Sequence, residues 1–266
     1  MYKQSIGVFD SGIGGLTILR ALRKTLPHEN FIYFGDTANV PYGGKSKAAV
    51  TRLALAVAHF LESKNVKLIV VACNTASAQA LPTLSKQLHV PVIGVISPGA
   101  QAAVTATRKR KIAVLGTQGT IESQAYVRAI QRYDKTLHVI QQACPLFVPL
   151  AEEGFAHKPA AELIAREYLL PIQKSGADTV ILGCTHYPIL RDLIAHILGP
   201  QVTLVDSADT LALAVKDFLQ KNQLAAAAGK GTLRLYSSDD PQKFTKSAHK
   251  LLGKKIVQAT LKKLNV

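Results

Sequence analysis

Tryptophan is absent from the 266-residue chain, methionine occurs once and cysteine three times. So small and odd a cysteine count argues against a disulfide-stapled scaffold and suits a reduced, cytoplasmic protein. No apolar run approaches the roughly 20 residues of a membrane-spanning helix. Met1-Tyr2-Lys3-Gln4-Ser5 leads directly into an apolar strand, with no secretory apolar region before it. Acidic side chains are scarce, 17 against 32 basic ones, which leaves a net charge of +15. That excess suits either a nucleic-acid partner or the steering of acidic small molecules. Aromatic residues make up only 6% of the chain. None interleave with the basic clusters at Arg108-Lys109-Arg110-Lys111 and at Lys254-Lys255 through Lys262-Lys263, as base-stacking platforms would. A solvated basic surface is the favoured reading.

Familiar cofactor motifs are missing too. After Asp10-Ser11-Gly12-Ile13-Gly14-Gly15, the last glycine of a dinucleotide fingerprint would fall at Thr17. Gly44-Lys45-Ser46 resembles the end of a P-loop, but Asn39 stands where its first glycine belongs. Cys184-Thr185-His186 has possible zinc spacing, yet no C-x-x-C or H-x-x-x-H nearby supplies the remaining ligands.

What the chain does have is 48% hydrophobic and 18% charged residues, enough for one large domain or two of ordinary size. It also has a repeated phrase. Leu68-Ile69-Val70-Val71 runs without a polar break into Ala72-Cys73-Asn74-Thr75, and Val180-Ile181-Leu182-Gly183 runs into Cys184-Thr185-His186. Such runs read as strands buried on both faces of a parallel sheet, and chemistry on such sheets sits past their carboxyl ends. Cys73 and Cys184 are 111 positions apart, Ile6 and Ile112 106 apart, and the strands from Val92 and Val202 110 apart. Helices are expected from Leu16 to Leu26, Ala48 to Leu61, Ala76 to Leu88, Ser97 onward and Thr210 to Leu219. Strands are expected at 5–9, 31–35, 91–96, 112–115 and 233–236. The fold class is therefore α/β: two pseudo-symmetric α/β domains with mostly parallel sheets and a site in the cleft between them. Residues 1–97 with 207–266 form the first domain and residues 98–206 the second.

Two halves facing each other would set Cys73 and Cys184 on opposite sides of one cleft. A proton could then leave one face of a carbon and return to the other. A thiol, with an ordinary pKa of roughly 8.5, reaches both protonation states near neutrality. Asp10 and His186 are placed to tune the two thiols, and Glu152 to orient His186. Bland readings stand beside each: Asp10 or Ser11 as a helix cap, Glu152 as a solvated acid, and Cys144 as a small buried hydrophobe.

The segments Val8-Phe9-Asp10-Ser11-Gly12-Ile13-Gly14-Gly15, Gly35-Asp36-Thr37-Ala38-Asn39-Val40-Pro41-Tyr42-Gly43, Ala72-Cys73-Asn74-Thr75-Ala76 and Gly183-Cys184-Thr185-His186-Tyr187-Pro188 together resemble the aspartate/glutamate racemase superfamily, and within it the glutamate racemases. The resemblance implies cofactor-independent, metal-independent interconversion of L- and D-glutamate, with D-glutamate supplied to peptidoglycan. It implies that Cys73 takes the α-proton from D-glutamate and that Cys184 reprotonates the opposite face. Asp10 would assist at Cys73, and His186 and Glu152 at Cys184. Ser11, Tyr42, Gly43, Asn74, Thr75, Thr185 and His186 match substrate-contacting positions, with Asp10, Thr117 and Thr120 joining them. A homodimer is the family-level expectation. Racemisation of aspartate or another diacid is the alternative within the fold; a basic module acting on DNA or DNA gyrase is the alternative from another class. The chain starts almost at its first strand, without the N-terminal extension of relatives activated by a UDP-linked muramoyl precursor, so such activation is not expected.

Overall fold

The computed structural model describes residues 4–253 and 256–265. Met1, Tyr2 and Lys3, and Lys254 and Lys255 of the C-terminal basic cluster, lie outside the described residues. The strands are β1 (Ile6–Asp10), β2 (Phe31–Gly35), β3 (Leu68–Val71), β4 (Val92–Gly94), β5 (Lys111–Gly116), β6 (His138–Ala143), β7 (Thr179–Gly183), β8 (Thr203–Val205), β9 (Leu233–Ser237) and β10 (Thr260–Leu261). Between them run α1 (Leu16–Thr25), α2 (Lys47–Glu62), α3 (Asn74–Gln79), α4 (Leu81–Gln87), α5 (Ile96–Ala106), α6 (Gln118–Glu122), α7 (Ala125–Tyr133), α8 (Phe147–Glu152), α9 (Pro159–Ser175), α10 (Arg191–Leu198), α11 (Ser207–Lys221) and α12 (Pro241–Leu252). A 3₁₀ turn spans Tyr187–Leu190.

All strand pairs are parallel, as alternating strands and helices require. One sheet has the order β10-β9-β2-β1-β3-β4 and the other β6-β5-β7-β8. The second order is that of β2-β1-β3-β4, and the registers make the duplication explicit. Ile6 pairs with Leu68 in one sheet and Ile112 with Thr179 in the other, so 68 corresponds to 179 and Cys73 to Cys184. Val92 pairs with Ile69 and Leu204 with Val180. Val92 therefore corresponds to Leu204, 112 positions on, and the alignment of Val92 with Val202 is two residues out of register.

Alternation along the central strands sorts their side chains. Ile6, Val8, Leu68 and Val70 share one apolar cluster with Ile112, Val114 and Ile181 of the other sheet. Helices α1, α5, α7 and α11 pack on one another around that cluster, so the hydrophobic core is continuous from one sheet to the other. The opposite faces carry separate clusters: Phe9, Ile69, Val71 and Cys73 under α2, and Ala113, Leu115, Leu182 and Cys184 under α8, α9 and α10.

Three expected boundaries differ. The helix expected from Ala76 to Leu88 is broken at Ala80, because Pro82 has no N–H to continue α3 and instead sits in the first turn of α4. The strand expected over 91–96 is only three residues long, and α5 already begins at Ile96. The turn before α1 is held by Asp10, but the helix's N-cap position is Gly15.

The segment joining α11 to β9 is anchored by a buried ion pair. Lys67 Nζ lies 2.6 Å from Glu29 Oε2 and donates to Leu224 O at 2.7 Å, while Glu29 Oε1 accepts from Ala226 N at 2.8 Å. Both side chains are nearly inaccessible. Lys67→Met leaves Glu29 buried and uncompensated, and should cost about 3–5 kcal/mol in urea unfolding. The double variant Lys67→Met/Glu29→Gln, which removes both charges and keeps the Ala226 acceptor, should recover most of that loss.

Candidate active site

The site is assembled from turns that follow strand ends. β1 delivers Asp10 and Ser11, β3 delivers Cys73, Asn74 and Thr75, β5 delivers Thr117, and β7 delivers Cys184, Thr185 and His186. The loop after β2 adds Tyr42 and Gly43.

Cys73 is the N-cap of α3: its Sγ accepts from Ala76 N at 3.5 Å and its thiol donates to Ser11 Oγ at 3.8 Å. Burial, reinforced by the neighbouring Asp10, pushes the thiol up to about 12, so Cys73 holds its proton at neutral pH. Asp10 is fully buried beneath the first turn. Its Oδ2 accepts from the backbone N–H groups of Gly12 (3.0 Å) and Gly15 (3.1 Å), and its Oδ1 accepts from Thr185 Oγ1 at 3.3 Å. Burial still raises its carboxyl above the ordinary range, against the lowering effects of His186 and the two amides.

On the other side, Cys184 Sγ lies 3.9 Å from His186 Nδ1. His186 Nε2 lies 3.0 Å from Glu152 Oε1, an ion-pair contact that is not aligned as a hydrogen bond. Burial by itself would lower the imidazole pKa; its interactions with Cys184 and Glu152 outweigh this and raise it to about 10. At neutral pH the ring is a cation between a sulfur and a carboxylate. Gly14 makes this arrangement possible. A Cβ there would fall 2.9 Å from His186 Nδ1 and closer still to Thr185 Oγ1.

Polar groups close the site across the two halves. Thr75 Oγ1 lies 2.8 Å from Thr117 Oγ1 and 3.4 Å from Thr120 Oγ1, with Thr117 and Thr120 3.0 Å apart. Gly119 N donates to Gly43 O at 3.0 Å. Tyr42 donates to Asp36 Oδ2 at 2.6 Å, and this holds its ring in the wall.

Cys73 and Cys184 open into one cavity with Ser11, Tyr42, Gly43, Asn74, Thr75, Thr117, Thr185 and His186. Its volume is about 20 Å³, little more than one water requires. The other residues singled out from sequence lie behind that wall. Thr120 backs Thr117, Asp10 lies under the turn, and Glu152 reaches the cavity only through His186. Glu152 itself lines a neighbouring cavity of about 260 Å³ with Gly12, Asp239 and Lys243. Val40, Pro41 and Val148 add apolar wall that sequence reasoning did not name. The first two fall inside the stretch from Gly35 to Gly43, whereas nothing marks Val148 beyond its place beside Pro149. Among the described residues, no group of three or more His, Cys, Asp or Glu side chains is arranged to hold a metal ion. The geometry suits proton transfer on two sides of a small anionic ligand.

The raised pKa of His186 has a sign that can be tested. Its folded-state value of about 10 exceeds the ordinary 6.5, so the stability it contributes is complete below pH 6.5 and is lost as pH rises through 10. Glu152→Gln should therefore destabilise the protein more at pH 6 than at pH 10.5 in urea unfolding. In NMR titrations it should move the His186 ring midpoint downward from about 10.

Comparison with known proteins places this arrangement. The family model described as Asp/Glu/Hydantoin racemase matches residues 16–215. The glutamate racemase of Geobacter metallireducens is 48% identical over 254 residues, covering 95% of this chain and 94% of that protein. Among solved structures, glutamate racemase isoform RacE1 of Bacillus anthracis superposes with a TM-score of 0.93 at 37% identity, covering 99% of this chain and 98% of that one. The glutamate racemase of Francisella tularensis, solved with D-glutamate, gives a TM-score of 0.91 at 37% identity, with 97% of each chain covered. With the family model spanning most of its length and relatives this similar matching end to end, the chain belongs to the Asp/Glu/Hydantoin racemase family.

Proposed function

We propose that the chain interconverts L- and D-glutamate by a two-base mechanism carried by Cys73 and Cys184, and so supplies D-glutamate for peptidoglycan. The observation that carries this reading is the opening of both cysteines, at duplicated strand ends, into a single cavity. From D-glutamate, the Cys73 thiol first passes its proton to the Asp10 carboxylate; the thiolate so formed takes the Cα proton, and the electron pair is left on Cα in conjugation with the α-carboxylate. The Cys184 thiol then donates its proton to the opposite face. From L-glutamate the roles reverse. One C–H bond breaks and one forms, with no net oxidation.

Each neighbour has a task in this reading. Asp10 assists proton transfer at Cys73. The His186 imidazolium stabilises charge that develops on Cys184, and Glu152 keeps the ring charged and oriented. The hydroxyls of Ser11, Thr75, Thr117 and Thr185 and the amide of Asn74 are donors suited to carboxylates, with Thr120 supporting Thr117. A cavity of about 20 Å³ does not hold glutamate. Residues 1–97 with 207–266, and residues 98–206, therefore part as two bodies to admit it and close to exclude water. Glutamate is favoured over aspartate by relatives near 48% identity that are glutamate racemases. The same reading includes a cytoplasmic homodimer, whose assembly state sedimentation would measure. No helix among the described residues is long and apolar enough to cross a membrane.

In deuterated water with no cofactor added, product glutamate should carry deuterium at Cα. Cys73→Ala and Cys184→Ala should each lower turnover by about 10²–10⁴-fold or more. The two enantiomers have equal free energy, so every variant must lower kcat/KM equally in both directions, although kcat and KM separately are free to diverge. Full activity in either cysteine variant, measured by circular dichroism, would overturn the two-base reading. Faster turnover of aspartate than of glutamate would overturn the substrate assignment.

A further inference from the structure

One buried tyrosine touches the catalytic turns of both halves. Tyr126, in α7 of the second half, is 1% exposed. Its hydroxyl donates to Asn74 Oδ1 at 2.7 Å, and Asn74 follows Cys73 in the first half. Its ring packs against the residue that precedes Cys184: a Cβ on Gly183 would lie 3.2 Å from Tyr126 Cε2. The same hydroxyl sits 3.4 Å from Ser207 Oγ, at the start of α11, and 3.3 Å from where a Cβ on Gly99 in α5 would be. Both chain crossings between the halves therefore pass this one side chain.

The polarity of these contacts is informative. An amide presents a carbonyl oxygen at one end and two N–H donors at the other. With Oδ1 engaged by the Tyr126 hydroxyl, Nδ2 is the end of Asn74 left without a partner among the described residues, and Asn74 lines the cavity. A donor end meets a carboxylate favourably, whereas a carbonyl oxygen turned the same way would repel it. Ser207 completes the relay, since its hydroxyl is placed to donate to the Tyr126 oxygen while Tyr126 donates to Asn74.

We propose that Tyr126 is a positioning residue that turns the NH₂ of Asn74 toward a substrate carboxylate and spaces the Cys73 turn from the Cys184 turn. The inference rests on the glutamate racemase reading and adds to it a residue that does not line the cavity. Because the ring stays put in Tyr126→Phe, that variant removes only the hydroxyl. The amide then loses its orienting partner, and carboxylate binding weakens in the ground state and the transition state alike. That pattern appears in KM rather than kcat.

The test is racemisation followed by circular dichroism in both directions for wild type, Tyr126→Phe, Asn74→Ala and the double variant. Tyr126→Phe should raise KM about tenfold with kcat changed less than about threefold, and should lower kcat/KM equally from either enantiomer. The double variant should be no worse than Asn74→Ala alone, because both changes remove the same interaction. Asn74→Asp, which keeps an oxygen for Tyr126 and replaces Nδ2 by an anionic oxygen, should raise KM further still. It serves as the deciding variant if Tyr126→Phe melts well below wild type. An unchanged KM in a folded Tyr126→Phe, or losses that multiply in the double variant, would overturn the inference and leave the glutamate racemase reading intact. A wild-type protein that failed to racemise glutamate would instead remove the reading beneath it.

Discussion

Parallel pairing of β1 with β3, and of β5 with β7, is the constraint on which the site depends. Parallel strands carry their hydrogen bonds at even spacing and all end on the same side of a sheet. Once Ile6 is set against Leu68, the turns after the two strands must emerge side by side, so Asp10 and Ser11 meet Cys73. The same register in the second sheet sets Thr117 beside Cys184. Two copies of one strand arrangement, facing each other over a shared apolar cluster, turn a repeat in the chain into two proton carriers on opposite sides of a cavity.

The two sides are matched in backbone and unlike in electrostatics. Cys73 stands near a buried carboxyl and holds its proton strongly, whereas Cys184 stands beside an imidazolium held by a carboxylate. A reaction between mirror-image molecules has no thermodynamic direction of its own, so this inequality cannot favour a product. It distributes the charged and neutral states of the empty protein instead. Desolvation makes that distribution steep: burial is the largest influence on Cys73, on Asp10 and on His186.

Much of this was legible in the chain because the duplicated elements are the most apolar ones. The β3 and β7 runs have no polar break, and their registers reproduce the spacing of Cys73 and Cys184. The second half's β6 was not legible. Its side chains are half-buried at a sheet edge, and Gln141 and Gln142 interrupt the pattern that a buried strand would show. Only β2, its equivalent in the first half, implies it, through the repeat. The break at Ala80 is hidden because apolar periodicity runs across Pro82. Tyr126 was invisible for a different reason. An aromatic on the buried face of an amphipathic helix looks like ordinary core, and nothing local reveals that its hydroxyl meets Asn74, 52 positions away.

The order of strands also dictates a schedule. The sheet carrying Cys184 draws its four strands from residues 111–205, but α11, later in the chain, covers one of its faces together with α5 and α7. The sheet carrying Cys73 places β9 against β2, and the buried charge of Lys67 takes its second contact from Leu224. On the ribosome, where domains assemble as their residues emerge, neither half has its full cover until α11 has emerged. The half synthesised first stays open along β2 until the last segment arrives, and the catalytic cleft is among the final features to be completed.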